Sequence, residues 1–187
     1  MKKRFAYSKS IGREILLKIL QYGEEGALVA LLQEGLERSG ASPGAIDGLF
    51  GNSTRRALRL FQQQHGLAAD GVAGPATQEA LAPWYLGYVT HQVRPGDSLW
   101  RIARSYGATL RALETANPGL DPYNLQPGRR LTVPLPFPVV PRQVPMSSTL
   151  AAFCARGLAA RYPFLRLGEL GQSTLGQPLW TLSAGSG

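Results

Sequence analysis

A twelve-residue pattern that occurs twice constrains this chain more than any other feature of its sequence. Residues 47–58 and 70–81 both read Asp-Gly-x-x-Gly-x-x-Thr-x-x-Ala-Leu, so six positions agree at a fixed offset of 23 residues. Asp-Gly favours a tight turn, because glycine accepts a positive φ and aspartate can accept hydrogen bonds from the backbone ahead of it. The apolar positions that follow have helical spacing. The repeat therefore predicts two equivalent turns, each leading into a short helix.

The residues around the repeat complete a three-helix module over residues 25–84. An apolar stripe that ends at Gly40 predicts the first helix. Asn52 or Ser53 can cap the second, and Pro75 suits the first turn of the third. The two aspartates could also be a metal site or an acid pair, but their equivalent positions favour a structural role. The predicted structural turn residues are Asp47, Gly48, Asp70 and Gly71.

This module resembles the peptidoglycan-binding domain of bacterial wall hydrolases. The matching residues are Leu31-Leu32-Gln33, Ile46 to Gly51, Phe61-Gln62, Gly66-Leu67, and Asp70-Gly71 to Gly74-Pro75. The resemblance implies a module that binds the wall and does not catalyse. His65 has no Cys, His or carboxylate at ligand spacing and stands at a helix end, where a cationic side chain suits the exposed carbonyls. We interpret it as structural or surface-facing.

A second module is predicted over residues 88–135. Pro83 and Gly87 bracket a short linker, after which residues 88–93 alternate as in a strand. Two short capped helices and a second strand follow, with Thr109 as the cap of the second helix. Strand, helix, helix, strand predicts a two-stranded antiparallel sheet covered by two helices. Together with the first module, this gives an α+β multi-module fold.

The second module resembles a LysM domain. The matching residues are Val93 to Trp100, Ile102-Ala103, Leu113, Asn117-Pro118, Asn124-Leu125, Pro127-Gly128 and Leu131 to Pro134. The family binds glycans that contain N-acetylglucosamine, and the resemblance places the sugar between two loops. The glycan-binding residues implied are Gly96, Asp97, Ser98, Leu99, Asn117, Pro118, Gly119 and Leu120. We further expect Asp97 or Ser98 to cap the first helix, Trp100 to lie in the core and Tyr123 to be packed.

A proline-rich linker is predicted over residues 136–146, followed by an incomplete α/β tail over residues 147–187. A helix, Tyr162-Pro163 and a Gly-x-Ser-x-x-Gly stretch resemble the start of a zinc carboxypeptidase-type domain. Bacterial proteins that join such a domain to wall-binding modules include gamma-D-glutamyl-diamino-acid endopeptidases. The resemblance implies a zinc ion bound by two histidines and a glutamate, with a further glutamate as general base.

The sequence of this chain contains no His-x-x-Glu, so we expect no catalysis, no catalytic residues and no metal or other cofactor. Zinc is expected only where the peptidase domain is complete, with its first ligands beyond Gly187. The chain would then be the targeting part of a wall peptidase. Alternatively, the intact longer product is a zinc-dependent gamma-D-glutamyl-diaminopimelate endopeptidase acting on stem peptides. A complete small lytic enzyme is the weakest interpretation, because no glutamate has an acid partner in sequence; those considered are Glu34, Glu37, Glu114 and Glu169.

Residues 1–24 form a basic segment with amphipathic helical spacing, which could pack on the first module or contact a membrane surface weakly. The net charge of +8 suits a polyanionic wall, whereas no basic stripe interleaved with aromatics points to nucleic acid. Cys154 is the single cysteine, so an intramolecular disulfide is excluded and a buried thiol is expected. We expect the cell wall or a spore envelope as the location, although no conventional signal peptide is visible. Oligomeric state is left open.

Overall fold

The computed structural model describes residues 18–142, 144, 146–172, 174 and 178–185. They form six helices and four strands, which confirms the α+β multi-module prediction. The described residues fall into two compact units. The first contains residues 18–85 with part of 140–151, and the second contains residues 86–139 with part of 152–185.

Three helices make up most of the first unit, as the repeat predicts: α1 (Ala27–Ser39), α2 (Asn52–Gln64) and α3 (Pro75–Leu86). Gly40 ends α1 with a positive φ of 88°. The linker predicted between Pro83 and Gly87 is wrong, because Pro83 lies inside α3. The helix continues past the proline, since Tyr85 and Leu86 beyond it are 2% and 4% exposed and their burial outweighs one lost backbone hydrogen bond.

The two Asp-Gly turns, predicted to be structural, have the same hydrogen bonds. Asp47 Oδ1 accepts the backbone N–H of Leu49 at 2.9 Å, and Asp70 Oδ1 accepts that of Val72 at 2.9 Å. Gly48 and Gly71 both have a φ of 75°, which only glycine adopts without strain. Each turn is followed within a few residues by the helix that the repeat predicts.

The expected side-chain cap of α2 is not formed. The N-cap position is Gly51, and neither Asn52 nor Ser53 makes a capping hydrogen bond. The second glycine of the repeat takes this place because its N–H donates to the carbonyl of Leu49 at 2.9 Å while its own carbonyl accepts from Arg55 at 3.0 Å. The helix thus begins immediately after the turn.

The second unit contains the predicted strand, helix, helix, strand order: β1 (Tyr88–Gln92), α4 (Leu99–Tyr106), α5 (Leu110–Ala116) and β2 (Arg130–Pro134). The strands pair antiparallel, with Tyr88 opposite Pro134 and Gln92 opposite Arg130. Thr109 caps α5 as predicted, accepting the N–H of Ala112 at 3.1 Å. Eight buried side chains form its core: Val89, Val93, Leu99, Ile102, Ala103, Leu113, Leu131 and Val133.

The remaining described residues form α6 (Ser148–Arg161), β3 (Leu165–Gln172) and β4 (Pro178–Ala184), and the last two pair as an antiparallel hairpin. The predicted helix and strands of the tail are therefore present. The first part of the proline-rich stretch is packed rather than free. Val139 is 4% exposed, and its carbonyl accepts from the buried thiol of Cys154. Burial of Cys154 confirms the structural interpretation of that residue.

The predicted basic amphipathic segment falls largely outside the described residues, which begin at Lys18. The described end of this segment hydrogen bonds to the three-helix unit. Leu20 exchanges two backbone hydrogen bonds with Ala73, and Glu24 accepts the N–H of Phe50 at 2.9 Å. No helix among the described residues is both long enough and apolar enough to span a bilayer.

Candidate glycan-binding site

Two loops leave the same end of the two-stranded sheet in the second unit. Because the strands are antiparallel, the end of β1 at Gln92 lies opposite the start of β2 at Arg130. The first loop follows β1, and its first residue, Val93, donates to Arg129 at 2.8 Å. The second loop begins after α5 and leads into β2. The predicted glycan-binding residues lie on these two loops, except Leu99, which is the first residue of α4.

Asp97 organises the first loop from inside. Its Oδ2 accepts the backbone N–H of Arg94 at 2.8 Å and lies 2.8 Å from Nε2 of His91. The other ring nitrogen of His91 is 3.1 Å from the hydroxyl of Tyr106. This chain of contacts ties the loop to β1 and to the end of α4. The helix cap is Ser98, which accepts the N–H of Arg101 at 3.3 Å, so of the two cap candidates only Ser98 fills that role.

The charge of Asp97 is favoured by its surroundings. Burial opposes ionisation, but hydrogen bonds from His91 and from the Arg94 backbone outweigh it, so the pKa of Asp97 lies below its ordinary value of 3.8. A lowered pKa in the folded state means that the stabilisation is present above about pH 4 and is lost as the pH falls further. The first loop is therefore held by an ionised carboxylate across the neutral range.

Asn117 organises the second loop. Its Nδ2 donates to the carbonyls of Leu113 and Thr132, both at 2.7 Å, and its Oδ1 accepts the N–H of Thr132 at 2.9 Å. These bonds join the end of α5 to β2 and use both side-chain N–H groups. Gly119 has a φ of 71°, which turns the chain after the helix. The side chain of Asn117 thus shapes the loop and is engaged by protein groups.

The predicted site residues divide into surface and scaffold positions. Gly96, Ser98, Pro118 and Gly119 are exposed, and Leu120 is half-buried against the core. Leu99 is 4% exposed and belongs to the core. A ligand lying along the two loops would therefore meet exposed backbone groups and short side chains, while the side chain of Leu99 supports the site from below.

Two aromatic residues are exposed where the sequence predicted packing. Trp100 is 55% exposed, so the core prediction is wrong, and Tyr123 is 98% exposed. On α4 the core takes Leu99, Ile102 and Ala103, and Trp100 lies about 100° around the helix from Leu99. The sequence signal that could have separated them is this helical phase, because Trp100 falls outside the arc that the three core residues define.

Replacing Asn117 by alanine should lower the free energy of unfolding of the second unit by about 2 kcal/mol, because one hydrogen bond to Leu113 in α5 and two to Thr132 in β2 are lost. Asn124 offers a matched control: it is exposed, and its side chain accepts a hydrogen bond from the nearby exposed Gln126. Thermal unfolding of the two variants measures the difference. An equal effect of Asn117→Ala and Asn124→Ala would show that the Asn117 bonds do not hold the loop.

Nothing in the described part of the chain brings together three His, Cys, Asp or Glu side chains that could hold a metal ion. In the first unit, His65 donates from Nδ1 to the backbone carbonyl of Phe61 at 2.8 Å. Its ring also stacks on the Phe61 ring, with the two ring centroids 3.9 Å apart. The rings of His65 and Trp84 are nearly perpendicular, with their centroids 5.4 Å apart. These contacts account for His65 as a structural residue at the end of α2.

Two family models match the chain within its two units. Residues 25–81 match the putative peptidoglycan binding domain, and residues 91–134 match the LysM domain. The two matches thus define a tandem of small cell-wall-binding modules. The chain contains a peptidoglycan-binding domain followed by a LysM domain.

Similar proteins include wall enzymes. The chain is 39% identical over 83 residues to a spore cortex-lytic enzyme of Oceanobacillus iheyensis, covering 43% of this chain and 30% of that one. It is 49% identical over 61 residues to a zinc D-Ala-D-Ala carboxypeptidase of Streptomyces albus G, covering 31% of this chain and 24% of that one. The solved SleB N-terminal domain is 42% identical, with a TM-score of 0.34, over 34% of this chain and 88% of that one. The chain spans less than a third of the length of these two enzymes.

Proposed function

We propose that the chain holds a wall-degrading enzyme on peptidoglycan, with the LysM domain binding N-acetylglucosamine-containing glycan between its two loops. The observation that carries this proposal is the placement of both loops at one end of the sheet, with exposed glycine and proline positions on each. An N-acetyl group offers an amide that pairs with loop backbone groups and a methyl group that fits a small apolar surface. The site therefore suits an N-acetylated sugar.

The two modules would act together. Shallow sugar sites bind weakly one at a time, and linking two wall-binding modules in one chain raises the effective concentration for the second contact. Peptidoglycan presents the same units repeatedly, so the second module always finds a nearby site. Deleting residues 88–134 should therefore weaken co-sedimentation with purified sacculi by more than the loss of one independent binding site would.

The loop assignment is tested by adding a bulky charge to an exposed loop position. Pro118→Glu should weaken binding of uncharged chitin oligomers about tenfold, because the side chain would occupy the sugar site. Thr115→Glu is the matched control, since Thr115 is exposed on α5. Isothermal titration with chitin tetramer measures both. Unchanged affinity in Pro118→Glu, with the fold intact by circular dichroism, would rule out this site.

We further propose that the catalytic part lies in a longer product and acts in the cell wall or spore envelope. The relatives include a spore cortex-lytic enzyme and a zinc carboxypeptidase, and the hairpin and helix after the LysM domain agree with the start of a peptidase-type domain. An in-frame His-x-x-Glu in the gene after residue 187 would support a zinc-dependent endopeptidase. Release of muropeptides by this chain alone would contradict its assignment as a binding part.

A further inference from the structure

The outer face of α4 carries an aromatic and cationic cluster beside the first glycan loop. Trp100, Arg101 and Arg104 are all exposed, and they lie within about 100° of the helix surface. We call these three residues the Trp100 face. None of them is needed for the core, which takes the opposite side of the helix. Trp100 therefore presents more than half of its apolar and aromatic surface to solvent.

The contacts of this face place one of its two charges at the loop. The guanidinium carbon of Arg104 lies 5.0 Å from the centre of the Trp100 ring, a cation–π contact. Nη1 of Arg101 donates to the carbonyl of Gly96 at 3.3 Å. Arg104 is thus held against the Trp100 ring, and Arg101 is held against the first glycan loop. Within the described residues neither arginine forms an ion pair with a carboxylate.

The charge around the loop is unbalanced. The first loop and α4 carry three arginines, Arg94, Arg101 and Arg104, and one carboxylate, that of Asp97. This carboxylate is already engaged by His91 and by the backbone of Arg94. An anion arriving at this surface would therefore meet two exposed guanidinium groups without competing with a protein carboxylate. An uncharged sugar has no carboxylate with which these groups could form a charge-assisted pair. The surface is complementary to a sugar that carries a carboxylate.

We propose that the Trp100 face is a subsite for an N-acetylmuramic acid unit whose lactyl carboxylate is free, adjoining the N-acetylglucosamine site. The proposal rests on the proposed glycan-binding function. The sugar ring would lie against the exposed surface of Trp100, and the lactyl carboxylate, which is attached directly to that ring, would reach the guanidinium of Arg104. A stem peptide joined to the lactyl group replaces this carboxylate with an amide and places its own carboxylates farther from the sugar ring. The module would accordingly prefer glycan from which the peptides have been cleaved.

The test compares three ligands on the full chain by isothermal titration: chitin tetramer, a peptide-free tetrasaccharide of alternating N-acetylglucosamine and N-acetylmuramic acid, and the same tetrasaccharide bearing L-Ala–D-Glu with both glutamate carboxylates amidated. We expect the peptide-free muramoyl glycan to bind about tenfold more tightly than chitin tetramer, as a charge-assisted hydrogen bond provides. Arg104→Gln should reduce this ratio to about one while chitin affinity stays unchanged. Arg111→Gln, an exposed arginine on α5, should change neither affinity.

Each result has a defined meaning. Equal binding of chitin and the peptide-free glycan by the unmodified chain, or a preference that survives Arg104→Gln, would overturn the proposal while leaving the glycan-binding function intact. Tighter binding of the peptide-bearing glycan would overturn the lactyl assignment, because that ligand has no free lactyl carboxylate. Failure of all three ligands to bind would instead remove the proposed function. Trp100→Phe should retain most of the preference, and Trp100→Ala should lose it.

Discussion

Replacing Gln62 by alanine should lower the free energy of unfolding of the three-helix unit by about 3 kcal/mol, the largest effect we expect of any polar substitution in this chain. Gln62 is 1% exposed. Its Nε2 lies 2.9 Å from Oδ1 of Asp70, 3.0 Å from the carbonyl of Val72 and 3.1 Å from the hydroxyl of Thr77. Its Oε1 accepts the N–H of Gly71 at 2.9 Å. One side chain thus closes the second Asp-Gly turn.

The neighbouring Gln63 provides a matched control on the same helix, because it is exposed. Gln63→Ala should change the stability by no more than about 0.5 kcal/mol. Gln62→Glu separates hydrogen bonding from packing, since it keeps the volume but replaces the amide donor with an acceptor that faces the carboxylate of Asp70. Urea unfolding followed by circular dichroism measures all three. A Gln62→Glu variant as stable as the unmodified chain would mean that packing alone holds the turn.

The first turn contains the same arrangement. Nε2 of Gln33 lies 2.9 Å from Oδ1 of Asp47 and 3.1 Å from the hydroxyl of Thr54, and Oε1 of Gln33 accepts the N–H of Gly48 at 2.8 Å. The threonine that recurs in the sequence pattern is therefore a hydrogen-bond partner of a buried glutamine in both copies. The hydrogen bond from Gln33 also lowers the pKa of Asp47. Hydrogen bonds from the Val72 backbone and from Gln62 lower the pKa of Asp70.

The sequence predicted the turns but not the glutamines that close them. Asp-Gly and the following helix are encoded within one stretch of chain, so local rules of turn and helix formation suffice. Gln33 precedes its turn by 14 residues and Gln62 precedes its turn by 8, so the repeat contains no common offset for them. A polar residue within an apolar stripe was the available signal, and its partner becomes visible only when the helices are packed.

The LysM sheet and its caps were predictable for the same reason, whereas the exposure of Trp100 depended on how α4 is rotated. Strand alternation and helix caps are local features, and the register of β1 with β2 follows once both strands are placed. The choice between Trp100 and its neighbours for the core depends on the helical phase relative to the sheet. An aromatic residue has a large apolar surface, which made burial the expected outcome, although the core was already filled by smaller aliphatic residues.

Burial of Tyr85 explains why α3 continues past Pro83, and the same ring leads to the second large effect that we expect, at Gly35. Proline within a sequence favours a helix end, yet Tyr85 follows it and is buried in the three-helix unit, with its hydroxyl donating to Oε1 of Gln78 at 3.0 Å. Burial raises the pKa of the Tyr85 hydroxyl, which therefore stays protonated as this donor. The ring lies directly over Gly35 in α1, where an added methyl group would collide with its Cε1 atom.

Gly35→Ala should therefore destabilise the three-helix unit by about 3 kcal/mol, although alanine in a helix interior is ordinarily more stable than glycine by up to about 1 kcal/mol. Gly74→Ala is the matched control, because nothing lies within 4 Å of the position of its added Cβ. Urea unfolding of both variants measures the difference. Tyr85→Leu should relieve the collision, so the double variant should be more stable than the sum of the single effects predicts. Strict additivity would show that Gly35 is not required by the Tyr85 ring, and the extension of α3 beyond Pro83 would then need another cause.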